Sequence, residues 1–354
     1  MLSIKSIDNK SDWDNLVKST PDYTFLQSWA WGQVNQHMGE SVWHLAVFDQ
    51  DKPISLCQAF TQTAKKGKIL FVPHGPLFIS TPTTDHLKQW LTYLKEIAIE
   101  NDCLCLRISP FLENTPQNQK LFKTLSFRRA PVIMHAEDTW LVDLRGDEAT
   151  ILSSMRKTTR NLIKKGLRDG QVWVKQSTNI NDIDTLYRLQ LEVVKRNNFV
   201  PFSKSYLKTE AKNLFQDNLA SLFIAGIDNT SLASALIIFF GKFSFYYQSG
   251  SISSKYPVNY LLQWQAILEA KKRGCQFYNM WGIAPQNSRP NHPWHGLTIF
   301  KTGFGGFSKL YMPSQDYIID PKYWLMYLVE KIPKTWRQKL TSLNHPPSPP
   351  NRIY

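Results

Sequence analysis

The sequence predicts a mixed α/β protein, of the α+β kind, built from two tandem domains. Two stretches of the chain repeat the same order of apolar runs, turns and helix-like periodicity. The length of 354 residues is ample for two domains of ordinary size. Hydrophobic residues make up 42% of the chain and charged residues 20%, which excludes intrinsic disorder for most of it.

Each repeated stretch consists of a hairpin, a third strand, a turn that contains glycine, a helix and a final strand. In the first stretch these parts are residues 45–48 with 54–60, 69–72, Gly75, 85–100 and 103–108. In the second stretch they are residues 222–227 with 234–240, 243–248, Gly250, 259–273 and 275–281. The agreement in order predicts a tandem duplication.

This order of elements is the core of an N-acetyltransferase-like (GNAT) fold, in which amides at a helix N-terminus can face the pyrophosphate of a ligand. A protein that uses coenzyme A usually needs a glycine-rich, basic loop at the turn before that helix. The two turns, residues 74–77 and 249–257, are not glycine-rich, and only the second contains a lysine. Acetyl-CoA chemistry is therefore disfavoured but stays open as an alternative.

The chain is strongly basic, with 42 Lys and Arg against 28 Asp and Glu and a net charge of +14. Such a charge predicts attraction to polyanions: RNA, an anionic membrane surface or a phosphorylated substrate. No apolar stretch approaches the ~20 residues of a membrane-spanning helix, and the N-terminal residues include no apolar signal segment. The expected location is the cytoplasm, with peripheral contact at the inner face of the membrane left open.

The four cysteines lie in apolar segments, and none of them forms a CxxC pair. They are Cys57, Cys103, Cys105 and Cys275. Their spacing indicates neither a disulfide framework nor a zinc site, so we expect buried free thiols, no metal and no cofactor.

A charged segment separates the two copies. An apolar stripe within 151–163 predicts a single helix, and Arg156, Arg160 and Lys164 recur every four residues along one side of it. Residues 156–175 hold seven basic side chains and one acid. The segment is either a solvated helix face or a contact for a polyanion, and the lack of interleaved Glu favours the contact.

Residues 296–307 follow the second copy and form a glycine-rich, aromatic segment. We predict that a short strand carries Lys301 into this turn; lysine is unfavourable inside a strand, so Lys301 needs a functional reason. Residues 321–354 begin with a Tyr- and Trp-rich helix and hold six basic residues against one acid. This end is predicted either to pack as a docking helix or to touch a membrane surface.

Taken together, seven segments resemble the Fem-type (FemABX) aminoacyltransferases, which build the interpeptide bridges of peptidoglycan. They are FLQSWAW at 25–31, VPHGP at 72–76, LRISP at 106–110, the charged segment 154–165, NYLLQW at 259–264, YNMWGI at 278–283 and the segment 296–306. Each is weak singly, but together and in order they make the resemblance specific over roughly residues 20–315.

The resemblance implies two acetyltransferase-like domains, residues 1–143 and 144–317, with a helix at 318–343 that returns to the first domain and a disordered tail at 344–354. It implies aminoacyl-tRNA as the donor. The acceptor it implies is the amine on the third residue of the cell-wall stem peptide, carried on UDP-MurNAc-pentapeptide or on lipid II. No heptad run is long enough for the coiled-coil arm of some members, so the compact type is expected, as a monomer.

The implied reaction is the aminolysis of an ester. It requires neither a metal nor a covalent intermediate, because an amine is a competent nucleophile once it is neutral. Lys301 is the candidate to stabilise the developing oxyanion, and Phe300 is the candidate to exclude water. The alternative for Lys301 is that it pairs with a phosphate or caps the turn.

The candidate substrate-binding residues come from three parts of the sequence. Arg156 and Arg160 can form bidentate contacts with pyrophosphate or carboxylate. Tyr247, Tyr256 and Tyr260 flank the turn of the second copy, with core packing as their alternative. In the first domain the candidates are Gln27, Ser28, Trp31 and Arg107, the last of which has a structural alternative.

Three positions depart from the pattern of the family. Asn35 stands where lysine is frequent, and Ser109 and Asn279 stand where an acid is common. Two other functions remain open on the sequence alone. One is an acetyl-CoA-dependent N-acetyltransferase, and the other is a non-catalytic basic module that binds RNA or a membrane.

Overall fold

The computed structural model of the chain describes residues 2–197 and 201–332. Within them the chain divides into two compact units. The first unit holds the residues up to Glu137 and from Leu310 onward, and the second holds Asp138–Lys309. The expected tail at 344–354, and the part of the expected helix 318–343 that follows Ile332, lie outside the described residues.

Both units contain strands and helices. From Leu2 to Arg129 the elements are β1 (Leu2–Ser6), α1 (Lys10–Ser19), α2 (Trp29–His37), β2 (Val42–Asp49), β3 (Lys52–Ala64), β4 (Gly67–Pro73), β5 (Leu77–Phe78), α3 (Thr84–Glu100), β6 (Cys105–Ser109), α4 (Pro116–Thr124) and β7 (Arg128–Arg129). From Asp138 to Lys331 they are β8 (Asp138–Asp143), α5 (Glu148–Ser154), α6 (Lys157–Asp169), β9 (Val172–Ser177), α7 (Ile183–Asn197), α8 (Lys204–Gln216), β10 (Ala220–Ile227), β11 (Thr230–Phe240), β12 (Phe243–Ser251), α9 (Val258–Lys272), β13 (Phe277–Gly282), α10 (His295–Thr302), β14 (Phe307–Leu310), β15 (Gln315–Ile318) and α11 (Tyr323–Lys331).

The sheets of the two units have the same internal topology. In the first sheet β2, β3 and β4 are antiparallel neighbours, and the helix α3 leads to β6, which lies parallel to β4. In the second sheet β10, β11 and β12 are antiparallel neighbours, and the helix α9 leads to β13, which lies parallel to β12. The tandem fold that the repeated patterns predict is thereby confirmed.

Each sheet also takes a strand from outside its own copy. β8 follows the first copy in sequence but pairs antiparallel with β13 in the second sheet. β15 follows the second copy but pairs antiparallel with β6 in the first sheet. The unit boundaries therefore fall after Glu137 and Lys309 rather than after the expected residues 143 and 317, because strand pairing decides which unit a segment joins.

Each unit buries a core between its sheet and its crossover helix. On the first sheet lies Trp90 of α3, whose Nε1 donates a 2.9 Å hydrogen bond to the Ser55 hydroxyl. On the second sheet lie Leu262 and Ala266 of α9, packed with Tyr278 of β13. The four cysteines named above are buried within these units, where they pack as small hydrophobic side chains.

The charged segment after the first copy forms two helices instead of the single predicted one. α5 ends at Ser154 and α6 begins at Lys157, with Met155 extended between them. The break occurs because the Arg156 N–H donates to the Gly303 carbonyl, 2.9 Å away, instead of continuing a helical ladder.

Two other local predictions are wrong. Gly250 lies inside strand β12 rather than in a turn, and a Cβ there would come within 2.5 Å of the Gln190 amide nitrogen of α7. Glycine is needed at that position because the backbones of α7 and β12 approach closely. Lys301 lies on helix α10, not on a strand. The periodicity of so short an apolar run cannot distinguish a helix from a strand.

Arg107 lies in a buried ion cluster of the first unit. The residue is 1% exposed and donates to both carboxylate oxygens of Asp316, at 2.7 and 2.8 Å. It also donates to Glu330 of α11, at 2.8 and 3.2 Å, and Lys66 pairs with the same carboxylate. Burial acts to raise the pKa of Glu330, but the contacts with Arg107 outweigh it and lower the pKa.

The expectation that Arg107 binds a substrate is contradicted by this cluster, because the guanidinium is enclosed and shared between two carboxylates. In the structure Arg107 stabilises the packing of β15 and α11 against the rest of the first unit. Asp316 lies 209 residues from Arg107 in the sequence. The residues around Arg107 therefore gave no indication of this ion cluster.

We predict that Arg107→Met lowers the free energy of unfolding by about 3–5 kcal/mol, because the change leaves two buried carboxylates without this cation. Urea denaturation followed by circular dichroism measures the loss. The matched control is Arg129→Met, which removes the exposed pair with Glu137 and should cost no more than about 1 kcal/mol. Equal losses in the two variants would contradict the structural role of the cluster.

Candidate functional site

The parallel strands β12 and β13 are paired over a short distance only. Their register runs from Phe243 opposite Phe277 to Phe245 opposite Asn279, and β12 continues beyond it. The pairing of β13 with β8 shifts register at the same place, between Asn279 and Gly282. The ladder between the two strands thus stops there, and we call the region beyond it, between Tyr246 on β12 and Gly282 on β13, the β12–β13 gap.

The backbone of β13 turns sharply at this gap. Trp281 has a φ of +63°, in the left-handed region that is strained for a bulky residue. The Asn279 side-chain oxygen accepts a 2.7 Å hydrogen bond from the Trp281 N–H and so holds the turn. Backbone strain of this kind is concentrated at functional sites, where the rest of the structure maintains it.

Lys301 reaches the β12–β13 gap from α10. Its Nζ donates a 2.6 Å hydrogen bond to the Gly282 carbonyl and lies 5.7 Å from the centroid of the Tyr246 ring. The residue is 5% exposed, and burial lowers the pKa of its amine to about 7. Among the described residues no carboxylate pairs with this amine. Near neutral pH it can therefore either donate a proton or accept one.

A buried hydrogen-bond network supports the ring beneath Lys301. The Tyr246 hydroxyl is hydrogen-bonded to Gln263 of α9, and the Tyr278 hydroxyl donates to the Gln263 side-chain oxygen at 2.7 Å. Burial raises the pKa of both tyrosines, so both stay neutral hydroxyls. The network fixes Tyr246 and with it one wall of the gap.

Phe300 belongs to an aromatic cluster next to Lys301. Its ring packs edge-on against Tyr260 of α9, with centroids 5.3 Å apart, and against Phe304 at 5.2 Å. Phe300 and Tyr260 are half-buried at the edge of the second core. Because Phe300 precedes Lys301 on α10, the cluster packs beside the helical turn that carries the amine.

The other two predicted tyrosines lie in the same unit. The Tyr247 ring packs edge-on against Trp281, 5.7 Å away, and so borders the β12–β13 gap. Tyr256 is half-buried against the second core, and the Lys255 ammonium lies 5.2 Å from its ring centroid. Tyr247 and Lys301 therefore lie at the β12–β13 gap, whereas Tyr260 and Phe300 pack against each other at the edge of the second core.

Arg156 and Arg160 bind the carboxyl ends of two helices. The Arg156 guanidinium donates to the Ile299 carbonyl at 3.2 Å and to the Thr302 hydroxyl at 3.0 Å, on the last turn of α10. Arg160 donates to the Ser153 carbonyl of α5 at 2.9 Å. Cations are favourable at helix carboxyl ends. Arg156 thus helps to hold the helix that carries Lys301 and stays exposed beside it.

Helix α6 presents a basic surface to solvent. Lys157, Lys164 and Lys165 are exposed, and we call these three side chains the α6 basic face. In the described part of the chain none of the three has a carboxylate partner. The charge of this helix is therefore available to a polyanion rather than neutralised within the protein.

The predicted binding residues near the N-terminus lie in the interior of the first unit, which contradicts their expected role. Gln27 is fully buried; its amide donates to the Pro73 carbonyl at 2.6 Å, and its oxygen accepts from the Gln58 N–H at 2.7 Å. Ser28 caps α2 by accepting from the Trp31 N–H at 3.2 Å. The buried Trp31 ring packs edge-on against Phe25. These residues organise the entry to α2 and line no open surface.

The three positions that depart from the family pattern have structural partners here. Asn279 holds the turn at Trp281, as described above. The Ser109 hydroxyl lies 2.7 Å from the Ser314 hydroxyl, and the buried Asn35 amide donates to the Trp31 carbonyl at 2.8 Å. The sequence analysis gives no site role to Tyr246, Gln263 or Trp281, although Gln263 and Trp281 lie in two of the segments that carry the family resemblance.

Residues 2–197 and 201–332 contain neither a cluster suited to a metal ion nor a helix suited to span a membrane. No group of three or more His, Cys, Asp or Glu side chains is arranged there to hold a metal ion. The helices described there are all too short or too polar to cross a bilayer.

Comparison with known proteins places the sequence near one family. The sequence profile of the FemAB family matches residues 9–133 and 227–331, which together exceed half of the chain. None of the curated proteins compared matches the chain.

Three solved structures share the fold. A crystal structure of FemX superposes with a TM-score of 0.80 at 17% identity and covers 93% of this chain and 100% of its own. A tandem GNAT protein from the clavulanic acid biosynthesis pathway has a TM-score of 0.55 at 10% identity and covers 91% and 99%. L-PGS from Bacillus licheniformis has a TM-score of 0.54 at 13% identity and covers 92% and 97%. At these identities the likeness shows the fold alone.

We predict that the wild type gains stability over Lys301→Met as the pH rises from about 7 to about 10. Folded Lys301 loses its proton near pH 7, whereas in the unfolded chain it keeps the proton up to about pH 10.4. The unfolded state therefore binds more protons in this window, and wild-type stability rises by up to about 1.4 kcal/mol per pH unit.

Urea unfolding at about pH 7 and about pH 9 measures this difference. The matched control is Lys164→Met on the exposed face of α6, whose stability relative to wild type should not change with pH. If the two variants shift in parallel, Lys301 is not a buried lysine of lowered pKa.

Proposed function

Because the chain belongs to the FemAB family, whose members add amino acids in peptidoglycan bridges, we propose that it moves an aminoacyl group from aminoacyl-tRNA to a cell-wall precursor. The acceptor is the amine on the third residue of the stem peptide, carried on UDP-MurNAc-pentapeptide or on its lipid-linked form. The observation that carries the proposal is the buried, carboxylate-free amine of Lys301 at the β12–β13 gap.

In this reaction the acceptor nitrogen attacks the ester carbonyl carbon, a C–N bond forms, and the bond from that carbon to the ribose oxygen breaks. The amine loses a proton, and the leaving ribose oxygen gains one. The protonated form of Lys301 donates a hydrogen bond to the oxyanion of the intermediate, and such a donor is worth about 3–4 kcal/mol. The Gly282 carbonyl supports this role because it orients Nζ.

The surroundings of Lys301 suit an RNA-borne ester. Phe300 and Tyr260 limit the access of water, which would otherwise hydrolyse the ester. The exposed Trp294 at the start of α10 offers a ring on which a base of the RNA can stack. The α6 basic face supplies cations for the phosphates of the donor.

Acceptor recognition falls to groups that border the gap. Arg156 is exposed beside Lys301 and retains N–H groups for a pyrophosphate or carboxylate of the precursor. Tyr247 and Tyr256 are proposed to contact the peptide or the uridine. Arg160, which is half-buried and already bound to Ser153, has a supporting role. The enzyme is proposed to act as a monomer.

One assay separates this proposal from its rivals. The protein is mixed with a muramyl pentapeptide precursor and either labelled aminoacyl-tRNAs or acetyl-CoA, and the mass of the peptide is followed. A gain equal to one aminoacyl residue supports the proposal. A gain of one acetyl group would replace it with an N-acetyltransferase, and no gain with any donor would leave a binding module.

We expect Lys301→Met to lower kcat/KM for aminoacyl transfer by about a hundredfold or more, because it removes the donor to the oxyanion. The control is Lys272→Met, an exposed lysine on α9 of the same unit, which should keep wild-type turnover. Circular dichroism verifies that both variants are folded. Near-normal turnover of Lys301→Met would remove Lys301 from the mechanism.

The wild-type pH profile distinguishes a cation from a base. Above about pH 7 the ammonium form of Lys301 falls tenfold per pH unit, while the neutral acceptor amine, with a pKa near 10, rises tenfold. A cationic role therefore gives a flat log kcat/KM between about pH 7 and about pH 9. A slope of about one in this window would instead assign Lys301 as the base that takes the proton.

We also predict that donor binding weakens steeply between about 50 and about 200 mM salt, as contacts with RNA phosphates require. The variant Lys164→Gln/Lys165→Gln should lower the slope of log affinity against log salt by up to about two, because two phosphate contacts are lost. The control Lys88→Gln/Lys95→Gln removes two exposed lysines of α3. Filter binding at several salt concentrations gives the slopes, and an affinity independent of salt would argue against an RNA donor.

A further inference from the structure

Helix α11 presents an apolar face that nothing in the described structure covers. Trp324 is 44% exposed, Leu325 68%, Leu328 61% and Val329 41%. At 100° per residue these four lie on one side of the helix. They form what we call the α11 apolar face.

The opposite side of α11 is fixed firmly to the first unit. Tyr323, Met326 and Glu330 are at most 3% exposed. The Tyr323 hydroxyl donates to Asp316 at 2.9 Å, and Glu330 is held by Arg107. The helix is therefore preformed and is attached to the first unit mainly through its buried side. Binding at this face would therefore not carry the entropic cost of ordering the helix.

Basic side chains frame the α11 apolar face. Lys322 and Lys331 lie at its two edges and at the two ends of the helix, and both are exposed. The Arg128 guanidinium lies 4.6 Å from the centroid of the Trp324 ring. Within the described residues none of these three cations has a carboxylate partner. The only acid of α11 is the buried Glu330.

This combination has the chemistry of an interfacial helix. The exposed apolar side chains can enter the hydrocarbon boundary of a bilayer, while the lysines at their margins can contact lipid phosphates. Tryptophan is enriched at the level of lipid headgroups. Lysine is depleted from protein–protein interfaces. The cations around the α11 apolar face, which have no carboxylate partner among the described residues, therefore favour a lipid surface over a protein partner.

We propose that the α11 apolar face docks the protein on an anionic bilayer surface. Trp324, Leu325 and Leu328 enter the interfacial region, while Lys322, Lys331 and Arg128 contact lipid phosphates. The docking goes beyond the transfer reaction, because it involves no residue of the β12–β13 gap. It would hold the enzyme at the surface on which a lipid-linked precursor is found.

Sedimentation with large vesicles tests the docking on the full chain. We expect wild-type protein to bind vesicles that contain about one-third phosphatidylglycerol at least tenfold better than pure phosphatidylcholine vesicles, since each cation near the surface adds about fivefold. Leu325→Glu/Leu328→Glu should lower binding to the anionic vesicles at least tenfold. Lys322→Glu/Lys331→Glu should abolish the preference for anionic lipid. The matched control Ile99→Glu, 54% exposed on α3 of the same unit, should bind as wild type does.

Three outcomes would overturn the docking. The first is wild-type protein that stays in the supernatant with anionic vesicles. The second is equal binding by Leu325→Glu/Leu328→Glu and Ile99→Glu. The third is a change of oligomeric state in Leu325→Glu/Leu328→Glu, measured by sedimentation velocity, without loss of vesicle binding; a second copy of the chain would then cover the face. Transfer to the soluble UDP-MurNAc-pentapeptide should be unchanged in Leu325→Glu/Leu328→Glu, so a failure of docking is separable from a failure of the proposed function.

Discussion

Strand pairing between segments distant in sequence is the constraint on which both units depend. β8 joins β13 and β15 joins β6, so each sheet is completed by the segment that follows the other copy. The second of these pairings sets Asp316 against Arg107, and the resulting cluster holds α11 through Glu330. The first of them borders the strand that turns at Trp281 and presents a carbonyl to Lys301. Backbone ladders thus determine the positions of both the ion cluster and the candidate site.

The candidate site obtains its chemistry from an unfavourable burial. A lysine buried beside the Tyr246 ring and the backbone of β13 loses hydration, and its pKa falls to about 7. The surrounding network opposes this cost only partly, since it offers one carbonyl acceptor and an aromatic ring rather than a carboxylate. A carboxylate beside the amine would instead have favoured its charged form. The structure thus keeps this amine responsive to pH at some expense of stability.

The repeated topology was predictable from the sequence because apolar runs, turns and one long helical period recur in the same order. The sequence names Lys301 and Phe300 as site candidates, but their helix was not predictable, because eight residues are too few to separate the helical period from the strand period. The roles of Gln27 and Arg107 were not predictable, since their hydrogen-bond partners lie 31–223 residues away. The left-handed turn at Trp281 was not predictable from any residue pattern either, because it depends on the neighbouring strands.

The two copies share one topology but differ where their parallel strands end. β4 and β6 stay paired as far as Pro73 and Ser109, and beyond them the rings of His74, Phe111 and Tyr311 stack on one another. In the second copy the pairing ends at Phe245 and Asn279, and the amine of Lys301 lies at the corresponding place, hydrogen-bonded to the Gly282 carbonyl. The same topology therefore ends in stacked aromatic rings in the first copy and in a buried amine in the second, so a shared strand order does not impose a shared chemical environment.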